Sequence, residues 1–219
     1  MIIEPYIIRK AVMPADISAP WDSEFWHNAY TLKLQHIFRE SSSHRPLTKV
    51  KVQYDDNFIY GLFQVEDYFV AARHQVDQEQ VCEDSCVEFF VRPPNAKKYF
   101  NFEMNCIGTL LLYHILDCRA ELYDKVPRED LDTIKRFHTI EKPIIEEEVG
   151  KQTWRLGFQI PIALFVKYFN VNPELSGQVW HGNFCKCGEE TSHPHWITWI
   201  PFSKLDFHLP DEFGEIIFE

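Results

Sequence analysis

Residues 86–92 read CVEFFVR and residues 98–105 read KYFNFEMN. In the first stretch Val87, Phe89 and Val91 alternate with Cys86, Glu88, Phe90 and Arg92. In the second, Phe100, Phe102 and Met104 alternate with Asn101, Glu103 and Asn105. A period of two belongs to a strand, because successive side chains point to opposite faces of a sheet. Pro93-Pro94-Asn95 supplies turn chemistry between the two runs. The stretch therefore predicts two neighbouring strands, each with an apolar core face and a polar, charged face turned outward.

The pattern continues in both directions. Residues 48–54 (TKVKVQY) and 58–66 (FIYGLFQVE) alternate around Asp55-Asp56-Asn57, whose short side chains bond locally to the backbone, and so predict a hairpin. Residues 108–115 (GTLLLYHI), 154–161 (WRLGFQIP), 178–187 (QVWHGNFCKC), 196–199 (WITW) and 214–218 read as further strands. Residues 162–169 suit one or two helical turns. Residues 118–150 differ: they are rich in charge, include Glu146-Glu147-Glu148, and hold one short helical stretch at 128–134. With too few apolar residues for a core of their own, they read as a long surface excursion. Many short strands, turn-rich joins and little helix predict an all-β chain, one antiparallel β-sandwich domain over residues 1–219, immunoglobulin- or jelly-roll-like.

Composition narrows the function. Of 219 residues, 45% are apolar and 25% charged, as in an ordinary globular chain. Lys and Arg number 22 against 33 Asp and Glu, a net charge of −11. Binding to a phosphate backbone or an anionic membrane needs clustered cations, so nucleic acid and membrane are not expected partners. No apolar run reaches the roughly 18 residues that cross a bilayer. The opening MIIEPYIIRK lacks a basic segment followed by a long apolar run, so no signal peptide is expected. Six cysteines (82, 86, 106, 118, 185 and 187) read as free thiols. Together these favour the cytoplasm, or a secreted or periplasmic setting if a leader precedes. The aromatic content is the unusual quantity: 18 Phe, 9 Tyr and 6 Trp. Inward-facing rings of a sandwich account for most of them.

At the central hairpin the sequence resembles a known family. EDSCVEFFVRP (83–93) followed by YFNFEMNCIG (99–108) is similar to the central region of family 9 carbohydrate-binding modules. YDDNFIYGLFQVED (54–67) is similar to their preceding hairpin, and WRLGFQIP (154–161) to their strand ending in Ile-Pro. WITWIPFSKLDFHLPDEFGEIIFE (196–219) resembles their C-terminal ending, and the likeness runs from about residue 21 to the terminus. The resemblance implies a β-sandwich that binds a mono- or oligosaccharide, often at a chain end, between two aromatic side chains. It also implies structural calcium and a link to glycoside hydrolases, here acting in trans. Carried over by position, the acid of the Val-Glu-Phe stretch is Glu88 and the polar ligand strand supplies Asn101, Glu103 and Asn105. One stacking position falls on Phe207, where better-known members have Trp. The other falls near Cys82, which is not a ring, leaving Trp180 or Trp196 as substitutes.

The residues support this reading independently. A pyranose has an apolar C–H face that packs on rings, and hydroxyls that need fixed donors and acceptors. The outer face of the hairpin offers Glu88, Arg92, Asn101, Glu103 and Asn105, with Phe90 in phase and Phe207 and His208 from the terminal loop. The plain alternative is a solvated sheet face with cross-strand charge pairs. Two other chemistries compete. Glu88 and Glu103 could form the carboxylate pair of a glycoside hydrolase, although a flat strand face offers no cleft to raise one pKa. Cys82, Cys86, Cys185 and Cys187 could bind zinc as four thiolates. Asp55, Asp56, Asn57 and Asp67 carry the oxygens calcium prefers, with turn chemistry as the simpler account. His193-Pro194-His195 could bind a transition metal, or form a polar turn.

Overall fold

The computed structural model describes residues 4–219; Met1, Ile2 and Ile3, at the head of the stretch read for a leader, lie outside the described residues. In chain order the strands are β1 (Tyr6–Lys10), β2 (Thr31–Lys33), β3 (His36–Ile37), β4 (Leu47–Tyr54), β5 (Phe58–Ala72), β6 (Cys86–Arg92) and β7 (Tyr99–Asn105). They continue as β8 (Leu110–Asp117), β9 (Leu122–Lys125), β10 (Lys135–His138), β11 (Ile144–Pro161), β12 (Val179–Cys187), β13 (Trp196–Thr198) and β14 (Gly214–Phe218). Three short helices interrupt them: α1 (Glu24–His27), α2 (Arg128–Leu131) and α3 (Ile162–Phe169). None is long and apolar enough to cross a membrane.

The architecture is a β-sandwich. One sheet runs β10-β11-β5-β4-β1 and the other β1-β14-β12-β6-β7-β8-β9. β1 serves both: Tyr6 to Ile8 pair with β14, and Arg9 and Lys10 with β4. These two pairings are parallel and the remaining ones antiparallel. Both hairpins read from the sequence are present, with Glu88 opposite Glu103 in β6–β7 and Val50 opposite Phe63 in β4–β5.

Alternation explains the core. Val87, Phe89, Val91, Phe100, Phe102 and Met104 from one sheet meet Val50, Val52, Phe63, Val65, Trp154, Leu156 and Phe158 from the other. The Phe89 ring stacks on Phe184 at 4.7 Å, and Phe184 lies 6.1 Å from Phe63 in the opposing sheet. Burying each such ring contributes roughly 1.5–3 kcal/mol. Trp180 belongs here too, 4.8 Å from Phe165 and 5.0 Å from Phe218.

Two expectations are corrected. The polar face of β6 and β7 does not meet solvent: all of β6 except Arg92, and all of β7, is buried. Phe202, Phe207 and Phe213 of the terminal loop are apolar and need cover, and they find it on this face with Phe90, Tyr99, Ile115 and Cys185. A 3-10 turn (Val81–Glu83) closes the neighbouring part. Residues 118–150 are likewise more than an excursion. They carry β9 and β10, the edge strands of the two sheets, and β11 begins at Ile144, ten residues before the stretch that signalled it. Val126, Leu131, Ile134 and Ile144 of this region enter the main core.

Candidate functional site

Residues directly opposite in antiparallel strands share a face. Cys185 of β12, Glu88 of β6, Glu103 of β7 and Leu111 of β8 therefore form one row. Asn183, Phe90, Asn101 and Tyr113 form the next, and Cys187, Cys86 and Asn105 the row on the other side. A cavity of about 280 Å³ lies over these rows. Glu88, Phe90, Glu103, Leu111 and Tyr113 make its floor. Its walls are Gln80 and Cys82 at the start of and within the 3-10 turn, Glu189 and Trp196 from the β12–β13 end, and Asp206, Phe207 and His208 from the terminal loop.

The two acids dominate the floor. Glu88 is 1% exposed; its Oε1 accepts from the Cys187 thiol at 3.0 Å, while its Oε2 has no protein partner. Burial, reinforced by Glu103, pushes the Glu88 carboxyl well above the usual range. Glu103 accepts from Asn101 Nδ2 at 2.7 Å. Burial pushes it up to about 7, against the opposing pull of that amide and with Glu189 adding to the rise. The shift favours the protonated form of Glu88, which can donate one hydrogen bond as well as accept others.

Asn101 is engaged through both of its polar atoms, because its Oδ1 also accepts from the Tyr113 backbone N–H at 3.0 Å. It orients Glu103 rather than reaching the cavity. Phe207 lines the cavity with its ring 6.2 Å from Phe90. His208 lies beside it, Nδ1 2.7 Å from Tyr99 Oη, and burial lowers its pKa. Asn105 and Arg92 share the strand phase but not the cavity. Asn105 Nδ2 donates to the His74 carbonyl at 2.8 Å and to Asp84 at 3.0 Å, and its Oδ1 accepts from the Thr109 N–H. Arg92 lies at the far end of β6, 3.8 Å from Asp211. Of the two substitute rings, Trp196 lines the cavity, held by a 3.0 Å bond from its indole N–H to Glu189, and Trp180 lies in the core. Tyr113, Gln80, Glu189 and Asp206 escaped the sequence reading. Only Tyr113 left a signal there, since it lies in phase on the strand after Asn101.

The proposed metal sets do not assemble as expected. Asp55 caps its own turn, accepting from the Asn57 and Phe58 N–H groups and from Tyr60 Oη at 2.6 Å. Asp56 pairs with Lys10 at the surface. Asp67 lies nine residues beyond the start of β5, roughly 30 Å along an extended strand. It is buried with His44 Nε2 at 2.6 Å, the Trp154 indole N–H at 3.3 Å and Lys186 Nζ at 3.7 Å. Burial would raise it, but Lys186 and His44 outweigh that and hold it below the ordinary range. Its counter-charge is a lysine, and the three aspartates form no common cation site. His195 joins the same buried cluster, 2.7 Å from Lys186 Nζ, and burial together with Lys186 lowers its pKa to about 3. His193 stacks on Phe69 at 3.7 Å. Among the cysteines, Cys86 and Cys187 converge with Glu88, their ligand atoms within 4.8 Å of one another. Cys185 instead packs against Phe90 and Phe213, so the four-thiolate arrangement is not formed. All six cysteines are free.

The model of carbohydrate-binding family 9 matches residues 26–218. A proposed carbohydrate-binding protein from Bacteroides uniformis is 28% identical, with 99% of each chain covered and a TM-score of 0.85. A family 9 module from Caldicellulosiruptor kristjanssonii in complex with glucose is similar in fold: 13% identity, 99% of this chain and 96% of that one, TM-score 0.66. The same holds for one in complex with cellotriose, at 14% identity, 97% and 93% coverage, and a TM-score of 0.63. No curated protein matches the chain by sequence.

Proposed function

We propose, from the premise that the chain belongs to carbohydrate-binding family 9, that the cavity over β6 and β7 binds a mono- or oligosaccharide, taking a chain end, without breaking it. The observation that carries this reading is Glu88, which lines the cavity and whose buried Oε2 has no protein partner. A buried polar atom left unpaired costs about 1–3 kcal/mol, which a ligand hydroxyl would recover. Around it stand the three kinds of group a sugar needs. Trp196, Phe207 and Tyr113 offer ring faces for C–H surfaces. Glu88 and Glu103 offer hydrogen bonds at the floor. Gln80, Glu189 and Asp206 offer them at the walls. The volume lies just below the roughly 300–1,000 Å³ found for small-ligand sites, which favours a chain end over the middle of a polymer.

One observation bears on hydrolysis instead: the acids lie in a cleft, not on the flat face expected from the sequence. Hydrolysis needs two carboxyls flanking the scissile bond, with pKa values driven apart. Glu88 and Glu103 are direct partners on one floor, and burial raises both. No Lys or Arg lines the cavity among the described residues to hold either ionised. The arrangement suits neutral hydroxyl recognition. Such a binder fits a carbohydrate-utilisation setting in which a glycoside hydrolase acts in trans.

The test is a broad glycan array followed by calorimetry on the wild type and Glu88→Gln. The expected result is stoichiometric binding of at least one sugar, weakened roughly tenfold in the variant, which keeps the wild-type circular dichroism spectrum. An array without a bound glycan contradicts the reading, as does turnover of chromogenic glycosides.

A further inference from the structure

The cavity that holds Glu88 and Glu103 is not closed on its β8 side. There it continues into a second hollow of about 330 Å³, and the two share Gln80, Tyr113, Asp206 and His208 as a common saddle. Beyond the saddle the hollow is built by β8, the turn after it and β9, with Asp117, Glu121, Leu122 and Tyr123 on its sides.

Its floor is aromatic and continuous with that of the first. Tyr113 opposes Lys125 and Ile115 opposes Tyr123 in the β8–β9 ladder, so Tyr113 and Tyr123 are diagonal neighbours on one face. Their rings stack with centroids 4.5 Å apart and planes 29° apart. Tyr123 remains 48% exposed and Leu122 53% exposed, on a strand whose four residues all face solvent. An edge strand normally carries charge to discourage contact. This one carries Asp124 and Lys125 but also an exposed ring, Tyr123, stacked on Tyr113 at the mouth of a polar cavity with carboxylates along its rim.

We propose a second subsite in which a further sugar ring of the ligand stacks on Tyr123, so that the site reads an oligosaccharide over at least two rings. The inference rests on the sugar-binding reading of the first cavity and adds to it a length requirement. The first ring is held at the acid floor, and the chain leaves across the Tyr113 saddle. The next ring lies on Tyr123, with its hydroxyls toward Asp117 and Glu121. Specificity for length then comes from β9, an element the sequence alone hid inside a charged stretch.

The experiment compares matched monosaccharide and trisaccharide pairs by calorimetry: glucose with cellotriose, glucose with maltotriose, xylose with xylotriose, and mannose with mannotriose. Wild-type protein, Tyr123→Ala and Tyr123→Phe are each measured. For the pair that binds, the wild type is expected to prefer the trisaccharide by about three- to tenfold, the range a stacked ring supplies. Tyr123→Ala should remove that preference while leaving monosaccharide affinity unchanged, and Tyr123→Phe should keep it. Equal wild-type affinities for the two lengths overturn the subsite alone, as does a length preference that survives Tyr123→Ala. Binding of no pair, with no sugar bound on the glycan array either, overturns the first-cavity reading and the subsite with it. Because Tyr123 lies at the surface of an edge strand, a circular dichroism spectrum identical to wild type is expected for both variants.

Discussion

Glu88 and Glu103 face each other across two neighbouring strands, and burial raises both carboxyls. For Glu103 the consequence has a definite sign. Its folded pKa of about 7 lies above the 4.5 of an unperturbed glutamate, so the folded state holds the proton more tightly. The associated stability is present below about pH 4.5 and is lost as pH rises through 7, on the order of 3 kcal/mol in all. His195, lowered to about 3 by burial and Lys186, slopes the other way over part of that range. The measurement is therefore a difference: urea unfolding of wild type and Glu103→Gln between pH 4.5 and 8. The wild type should lose stability relative to the variant as pH rises, and parallel curves would contradict the assignment. Alternation put Glu88 and Glu103 on one face, the resemblance brought Phe207 to them and the terminal loop His208, and all four line the cavity. It also put Asn105 and Arg92 on the same face, where phase is right but position is not. Phase tells which face a side chain takes, and the cover laid over that face decides which of its rows borders a cavity.

At the level of elements, strands with one apolar face were legible and strands polar on both faces were not. β9 (LYDK) and β10 (KRFH) are edges, and the first half of β11 (IIEEEVGKQT) is mostly exposed, so none shows a clean alternation. β1 was missed for a different reason: its parallel pairings join chain ends that no local pattern connects. β12 is the element that aligns the cavity floor, and it depends on close approach. Gly182 pairs with Val91 on one side and Gly214 on the other, and a Cβ there would lie 2.4 Å from the Phe90 carbonyl oxygen. Backbone cannot step aside as a flexible side chain does. Gly182→Ala should therefore destabilise the fold by about 2–3 kcal/mol in urea unfolding and weaken sugar binding through the displaced Phe90. Wild-type stability in this variant would show that β6 and β12 are not held as closely as described.

For the molecule as a whole, most of the 33 rings fall into three groups. One fills the space between the sheets, a second, with Phe90, Tyr99, Phe202, Phe207 and Phe213, seals the outer face of one sheet around the acids, and a third, Trp21, Phe25, Trp26 and Phe58, packs with Tyr60 and Leu62 of β5. Sandwich and family were readable from strand patterns and their order. The cavity was not, because it arises where residues 80–82 and 205–208 fold over strands that local alternation makes look solvated. A crystal of the protein soaked with the best sugar from the glycan array tests the central claim most directly. The expected result is a sugar ring over β6 and β7, packed against Phe207 and Trp196, with a hydroxyl at about 2.5–3.0 Å from Glu88 Oε2. A sugar ordered elsewhere on the molecule, with Glu88 Oε2 still unpartnered, would contradict it.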